Sequence, residues 1–103
     1  MIISGGETVY PAEVEAAHSE LAGVADCAVV AAPDARWGEV PVAFVVARPD
    51  AALDVAALKR HLDGRLARFK WPKEFRFCES LPCNAMGKVQ RFALRAQARE
   101  GRE

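Results

Sequence analysis

The sequence predicts an α+β fold, with about three helices packed on a small antiparallel sheet of three strands and a short two-stranded ribbon beside it. Two continuous apolar runs, at 27–32 and 40–46, are typical of buried strands. Segments with helical spacing precede, separate and follow the predicted strands, which favours α+β over an all-helical or all-β fold. A chain of 103 residues is large enough for one such domain and too small for a second.

The first ten residues predict the ribbon. Residues 1–4 and 8–10 read as extended pieces on either side of Gly5-Gly6-Glu7, since paired glycines adopt backbone angles that other residues resist. Pro11 fits the first turn of a helix, and Val14 begins an apolar series at helical spacing. We therefore expect a first helix over 11–21.

The two apolar runs predict an antiparallel hairpin. Only seven residues, 33–39, connect them, whereas a parallel crossover needs a dozen or more. Trp37-Gly38 is the expected tip of this hairpin.

The second half of the chain predicts a helix, a strand, a loop and a helix. Asp54 can cap a helix over 55–67, and residues 75–78 alternate like a third strand of the antiparallel sheet. Residues 84–88 read as a turn, and 91–99 return to helical character.

Charge is divided unevenly along the chain. Residues 1–52 carry a net charge of −6 and residues 53–103 a net charge of +6, so the total is zero. A basic half suits a polyanionic partner such as a nucleotide, a CoA phosphate or a nucleic acid. The same arginines and lysines could instead lie on the solvent-exposed faces of helices. Charge alone does not choose between these interpretations.

The cysteine pattern argues against a disulfide-rich or metal-binding protein, and the length of the apolar runs argues against a membrane-spanning one. Three cysteines at wide spacing, with only two histidines as further ligands, predict neither a disulfide framework nor a metal site. No run approaches the roughly 20 apolar residues of a membrane span, and the first residues lack the pattern of a signal peptide. The sequence therefore predicts a cytoplasmic protein with no membrane span.

Two segments depart from what packing alone requires. Residues 4–11 read SGGETVYP, and residues 81–91 read LPCNAMGKVQR. A lysine after a glycine can present its charge to an oxyanion or phosphate, and a Gly-Gly turn lets a ligand pass close to the backbone. Taken singly, each pattern is more often a plain surface turn.

The two segments together resemble the C-terminal domain of acyl- and aryl-CoA synthetases, which belong to the adenylate-forming superfamily. The opening MIISGGETVYPAEVE is similar to the family's MIISGGENVYPxEVE, and the closing run to its LPRxxxGKxxR. Pro33-Asp34, Trp37-Gly38-Glu39 and 69–73 also match, so the resemblance covers essentially the whole chain. Thr8, Cys83 and Met86 depart from the usual asparagine, arginine and threonine or serine.

The resemblance implies a mobile lid that serves two reactions. Lys88 would be the catalytic residue, an electrostatic clamp for the attack of a carboxylate on the α-phosphate of ATP. In a second orientation Gly5, Gly6 and Glu7 would line the tunnel for the pantetheine arm of CoA. ATP, Mg²⁺, a carboxylic acid and CoA are the substrates and ion of the full enzyme, and the domain alone is expected to bind no cofactor.

The implied partner is a large N-terminal adenylating domain, absent from residues 1–103, so the isolated chain is expected to be inactive. The segment 84–90 and Phe69-Lys70 resemble the corresponding segments of some CoA ligases. These are the ligases that form malonyl-CoA and related dicarboxylate or fatty acyl-CoA thioesters. Two alternatives remain open at this point. One is a lid of an adenylation domain that loads a carrier protein, and the other is a freestanding binding or regulatory module. Nucleic acid is not an expected partner, since the basic half lacks interleaved exposed aromatics.

Overall fold

A computed structural model describes residues 2–49, 51, 53–83, 85 and 89–99. Strands and helices alternate over this part of the chain, with a short 3₁₀ turn at Arg68–Lys70. The elements are β1 (Ile2–Ser4), β2 (Glu7–Val9), α1 (Pro11–Ser19), β3 (Val24–Asp34), β4 (Gly38–Ala47), α2 (Val55–Leu62), β5 (Glu74–Phe77) and α3 (Arg91–Arg99). The α+β class predicted from the sequence is confirmed.

Strand β4 is the centre of the sheet. It pairs antiparallel with β3 from Val24↔Ala47 to Asp34↔Gly38, which confirms the predicted hairpin. The β1–β2 ribbon is antiparallel, as predicted, but it joins the main sheet where Ser4 of β1 pairs with Gly38. The five strands in the described part of the chain therefore form one sheet, in the order β2-β1-β4-β3, with β5 beside β4.

The prediction of an antiparallel third strand was wrong in direction. β5 pairs parallel with β4, from Val42↔Glu74 to Val45↔Phe77. The segment 48–73, which contains α2, separates the two strands, and a connection of this length can carry the chain back to the start of a parallel strand.

Helices cover both faces of the sheet, which explains why β3 and β4 are apolar without interruption. On one face α1 and α2 pack over the residues Val29, Ala43 and Val45. On the other face α3 packs over residues of the opposite parity, including Val30, Val42 and Phe44, with Leu94 and Ala98 as its buried contacts. Successive side chains of a strand point to opposite faces, so both must be apolar here.

Helix and strand ends differ from the predictions for local reasons. α1 ends at Ser19 rather than at 21, and α2 ends at Leu62 rather than at 67 because Gly64 takes a φ of 83° that closes the helix. The side chain of Asp54 caps α2, as predicted, by accepting from Ala57 N at 2.8 Å. β3 continues through Pro33 to Asp34, since it is an edge strand on which proline is tolerated.

One histidine lies inside the domain. His18 is fully buried in α1; its Nδ1 is 2.8 Å from the carbonyl of Val14, and its ring packs against Phe75 at 5.6 Å. Burial lowers the pKa of His18, and His61 contributes in the same direction. The ring is therefore neutral in the folded domain at pH 7.

Candidate functional site

The glycine turn joins β1 to β2. Gly5 and Gly6 have φ of 58° and 86°, values that residues with a side chain rarely adopt. The backbone of this turn therefore confirms the prediction that the paired glycines adopt angles other residues resist. Gly5 N donates to the carbonyl of Trp37 at 3.0 Å, which attaches this turn to the tip of the β3–β4 hairpin. A Cβ on Gly5 would lie 2.3 Å from Cε3 of Trp37, so the indole occupies the space of a side chain.

Gly6 faces open space. A Cβ placed on it would meet nothing within 4 Å, and Glu7 beside it is exposed. The turn thus has one glycine packed against an indole and one whose bare backbone faces outward. A narrow ligand can approach the main chain closely at Gly6.

Two cations lie close to the ring of Trp37. The guanidinium of Arg36 is 5.0 Å from the ring centroid, and Nζ of Lys73 is 5.5 Å from it. The carboxylate of Asp34 holds the turn by accepting from the backbone N of both Arg36 and Trp37 at 2.9 Å. Trp37 remains 40% exposed, so it offers an apolar surface next to two positive charges.

A basic pocket adjoins Trp37 through Lys73. Its volume is about 580 Å³, and it is lined by Lys59, Arg60, Asp63, Arg68, Trp71, Pro72 and Lys73. Four cations face a single carboxylate, which favours an anionic occupant. Trp71 is fixed in the wall because its Nε1 donates to the carbonyl of Leu66 at 2.9 Å and Arg68 lies over its ring at 4.9 Å.

We call the surface formed by Gly5, Gly6, Trp37 and this pocket the basic face. It joins a bare backbone, a flat apolar ring and an anion-attracting pocket in that order. The sequence pointed to the glycines, but it indicated only a hairpin tip at Trp37 and no functional role for Trp37 or Lys73. Both lie in stretches that match the family pattern, and that match was the only signal for them.

The predicted catalytic residue Lys88 lies outside the described residues, as do Asn84, Met86 and Gly87. The flanks of this segment are described. Cys83 and Val89 form an antiparallel bridge, and Gln90 N donates to the carbonyl of Pro82 at 2.8 Å. Residues 82 and 83 therefore lie beside residues 89 and 90.

A clasp at the outer edge of β3 connects the two motif segments. Arg91 Nη1 and Nη2 donate to the carboxylate of Glu15 at 2.6 and 3.0 Å, and Nη1 also donates to the carbonyl of Val29 at 3.1 Å. Glu15 in turn accepts from Val29 N at 2.8 Å. We call these three residues the edge clasp. The hydrogen bond to Glu15 raises the pKa of the Arg91 guanidinium, which stays charged.

Sequence reasoning missed the edge clasp. Glu15 lies in the opening motif and Arg91 in the closing one, but a position in a motif does not reveal that two side chains separated by 76 residues meet. The clasp brings the helix that follows the glycine turn to the helix that follows the lysine segment.

The three cysteines, all among the described residues, are free thiols. Cys27 is buried, which raises the pKa of its thiol to about 12, and Cys83 is exposed; neither is in a disulfide. Within residues 2–49, 51, 53–83, 85 and 89–99 no group of three or more His, Cys, Asp or Glu side chains is placed to hold a metal ion. None of the helices in that part of the chain is long and apolar enough to cross a membrane.

This chain is similar to one protein family and to several CoA ligases. The family described as "AMP-binding enzyme C-terminal domain" matches residues 13–88. The chain is 52% identical over 95 residues to a 3-[(3aS,4S,7aS)-7a-methyl-1,5-dioxo-octahydro-1H-inden-4-yl]propanoyl:CoA ligase of Mycobacterium tuberculosis, covering 92% of this chain and 19% of the relative. It is 48% identical over 95 residues to an indoleacetate–CoA ligase of Aromatoleum aromaticum, with the same two coverages.

This chain is also similar to a solved structure. The ATP-bound crystal structure of MatB from Rhodopseudomonas palustris superposes with a TM-score of 0.93 at 41% identity, covering 97% of this chain and 20% of that one. The chain therefore spans about a fifth of the length of the relatives it matches.

Proposed function

Because this chain belongs to the family of AMP-binding enzyme C-terminal domains, we propose that it is the mobile lid of an ATP-dependent acyl-CoA synthetase. Its partner would be a large N-terminal adenylating domain of the same enzyme, since the chain corresponds to about a fifth of its relatives. Those relatives are named CoA ligases, which favours CoA over a carrier protein as the acceptor. The observation that carries the proposal is the basic face, whose parts match the parts of CoA.

Lys88 would act in the first half-reaction, in which a carboxylate attacks the α-phosphate of ATP and pyrophosphate leaves. Two anions must approach each other in this step, and a cation between them stabilises the transition state more than the separated reactants. Exclusion of water by the closed lid would strengthen this interaction. ATP and its Mg²⁺ would be held chiefly by the large domain, with Lys88 entering as an electrostatic clamp rather than as a base.

The basic face would act in the second half-reaction, in which the thiol of CoA attacks the acyl-adenylate and AMP leaves. The pantetheine arm is narrow and carries amides, so it suits the bare backbone at Gly6, with Glu7 at the rim. The phosphates of CoA suit the pocket beyond Trp37, where four cations face one carboxylate. One rigid domain would thus present two different surfaces to one active site by rotating between the steps.

Paired half-reaction assays in the parent enzyme test this proposal. Lys88→Ala should reduce acyl-adenylate formation, followed by pyrophosphate exchange, by about 10²- to 10³-fold, because it removes a preorganised charge. It should leave thioester formation from supplied acyl-adenylate within about twofold of wild type, since every contact assigned to that step is elsewhere. Gly6→Val should do the reverse, because its side chain would fill the pantetheine path.

The matched control is Lys70→Ala. Lys70 pairs with Glu13 at 2.8 Å on a partly exposed surface, so its removal should change both half-reactions by less than about twofold. Equal loss of both half-reactions in the Lys88 variant would contradict its assigned role. Gly6→Val lowering pyrophosphate exchange as much as thioester formation would contradict the tunnel. A parent enzyme that transfers its acyl group to a carrier protein and not to CoA would support the alternative acceptor.

A further inference from the structure

We infer that Asp34 is a positioning residue for the thioester step, because it holds Trp37 against the glycine turn. This inference rests on the proposed function, since it concerns the part of the basic face that is assigned to the pantetheine arm. Asp34 is the last residue of β3. The inference assigns it no contact with a substrate and an effect that passes through Trp37.

The tip of the β3–β4 hairpin is a loop of three residues, 35–37, between the paired residues Asp34 and Gly38. One carboxylate oxygen of Asp34 accepts from the backbone N of both Arg36 and Trp37, each at 2.9 Å. An aspartate that accepts from the backbone a few positions ahead stabilises a turn at its start. Two of the three N–H groups of this loop are therefore held by a single side-chain atom.

Trp37 meets the glycine turn through both its backbone and its side chain. Its carbonyl accepts from Gly5 N at 3.0 Å, and its indole occupies the space in which a Cβ on Gly5 would lie. Both contacts change if the loop changes its conformation, because they belong to one residue of that loop. The hydrogen bonds of Asp34 thus stabilise the conformation in which the loop meets Gly5.

The strands on either side of the glycine turn are held without Asp34. Ile2 and Val9 are buried in the core, and Ile3 N donates to a carboxylate oxygen of Glu39 at 3.2 Å. Loss of the Asp34 side chain should therefore leave the β1–β2 ribbon in place and loosen only the tip of the hairpin, since local openings involve the parts with the fewest buried contacts.

The two cations beside the indole are weak restraints on it. Arg36 belongs to the same loop and would move with it, and Lys73 is an exposed residue whose Nζ is 5.5 Å from the ring centroid. An exposed cation–π contact contributes little to stability. Trp37 is 40% exposed, so without Asp34 the ring should adopt positions away from Gly5. A misplacement of about 1 Å can cost about 10²-fold in rate, so this local change is enough to impair the step.

The test is the pair of half-reactions in the parent enzyme carrying Asp34→Ala. We expect kcat/KM for CoA in thioester formation from supplied acyl-adenylate to fall about 10-fold, mainly through KM, because the basic face would bind CoA rather than act on its thiol. Pyrophosphate exchange should change by less than about twofold. Asp34→Asn should stay within about twofold of wild type in both half-reactions, because an amide oxygen can still accept from both N–H groups.

Asp26→Ala is the matched control. Asp26 also lies in β3, and its side chain also accepts from a backbone N, that of Cys27, at 2.9 Å. It precedes Asp34 by eight positions, or about 26 Å along an extended strand. Its loss should therefore change neither half-reaction by more than about twofold.

Three kinetic results would each overturn the inference: equal loss of both half-reactions in Asp34→Ala, an unchanged thioester step in that variant, or a loss of the same size in Asp34→Asn. Should Asp34→Ala fail to fold, Asp34→Ser keeps a shorter acceptor and should impair the thioester step alone, to a smaller extent. Loss of both half-reactions, or of neither, in Asp34→Ser would again refute the inference.

Urea unfolding of the 103-residue chain gives a readout that does not depend on activity. If Asp34 holds the indole over Gly5, then Gly5→Ala should lower the urea midpoint less in the Asp34→Ala background than in the wild type. An equal shift in the two backgrounds would contradict the assigned positioning.

The Gly6→Val variant distinguishes failure of this inference from failure of the proposed function. If Gly6→Val leaves thioester formation intact, the path assigned to the glycine turn is wrong and the inference falls with it. If Gly6→Val impairs that step while Asp34→Ala does not, the path stands and only the positioning by Asp34 is refuted.

Discussion

Replacing Gly5 with alanine tests the packing of the glycine turn against Trp37. A Cβ at this position would lie 2.3 Å from Cε3 and 2.7 Å from Cζ3 of the indole, far inside the contact distance of two carbon atoms. The same residue has a φ of 58°, so alanine would also be placed in the left-handed region. Gly6 offers the matched control, because its φ is 86° but nothing lies within 4 Å of a Cβ there.

The two terms can be estimated separately. Left-handed backbone costs an L-residue about 1 to 2 kcal/mol, and this is the whole cost expected for Gly6→Ala. Overpacking adds about 1 to 3 kcal/mol at Gly5, toward the lower end because Trp37 is 40% exposed and its ring can move outward. We therefore expect Gly5→Ala to lower the free energy of unfolding by about 2 to 4 kcal/mol in total.

Urea unfolding of the 103-residue chain, followed by circular dichroism, measures these differences. Adding Trp37→Ala should relieve the clash, so that Gly5→Ala in that background costs no more than Gly6→Ala does in the wild type. A Gly5→Ala variant no less stable than Gly6→Ala would refute the assigned packing. An unchanged cost in the Trp37→Ala background would refute it as well.

Two further predictions concern buried titratable groups. His18 has a pKa below its ordinary 6.5, so the unfolded chain binds the extra proton, and the free energy of unfolding should fall as pH drops below about 6.5. His18 should contribute at most about 1.4 kcal/mol per pH unit to the change in the free energy of unfolding with pH. A His18→Gln variant with the same pH dependence as the wild type would contradict this. Cys27, with a pKa of about 12, should react with a thiol reagent at pH 8 far more slowly than exposed Cys83. Equal labelling rates of the two thiols in the native protein would be the contrary result.

Local signals in the sequence predicted the elements that depend on local structure. The sequence predicted the strands β3 and β4, the Asp54 cap and the Gly5-Gly6 turn. Each of these follows from a few adjacent residues. The end of α2 was not identified, although Gly64 was a visible signal, because the apolar spacing continues through Leu66 beyond the glycine. Leu66 is indeed buried, but in the turn after the helix rather than within it.

Features that depend on residues far apart in the chain could not be predicted from the sequence. The alternation at 75–77 indicates a strand but carries no information on its partner or direction, which are set by where α2 returns the chain. Lys73 reaches Trp37 across 36 positions, and Arg91 reaches Glu15 across 76. The role assigned to Lys88 came from resemblance alone, and it remains a prediction because that residue lies outside the described part of the chain.

The outer edge of β3 bears on self-association. An eleven-residue, largely apolar strand at the rim of a sheet is a template on which a second copy could add a strand. Here the outward N–H of Cys27 is taken by Asp26, that of Val29 by Glu15, and Pro33 has none. Arg91 occupies the carbonyl of Val29 and adds a charge at mid-strand. The contacts that hold α1 and α3 at this edge therefore also occupy part of the hydrogen-bonding edge that an added strand would need.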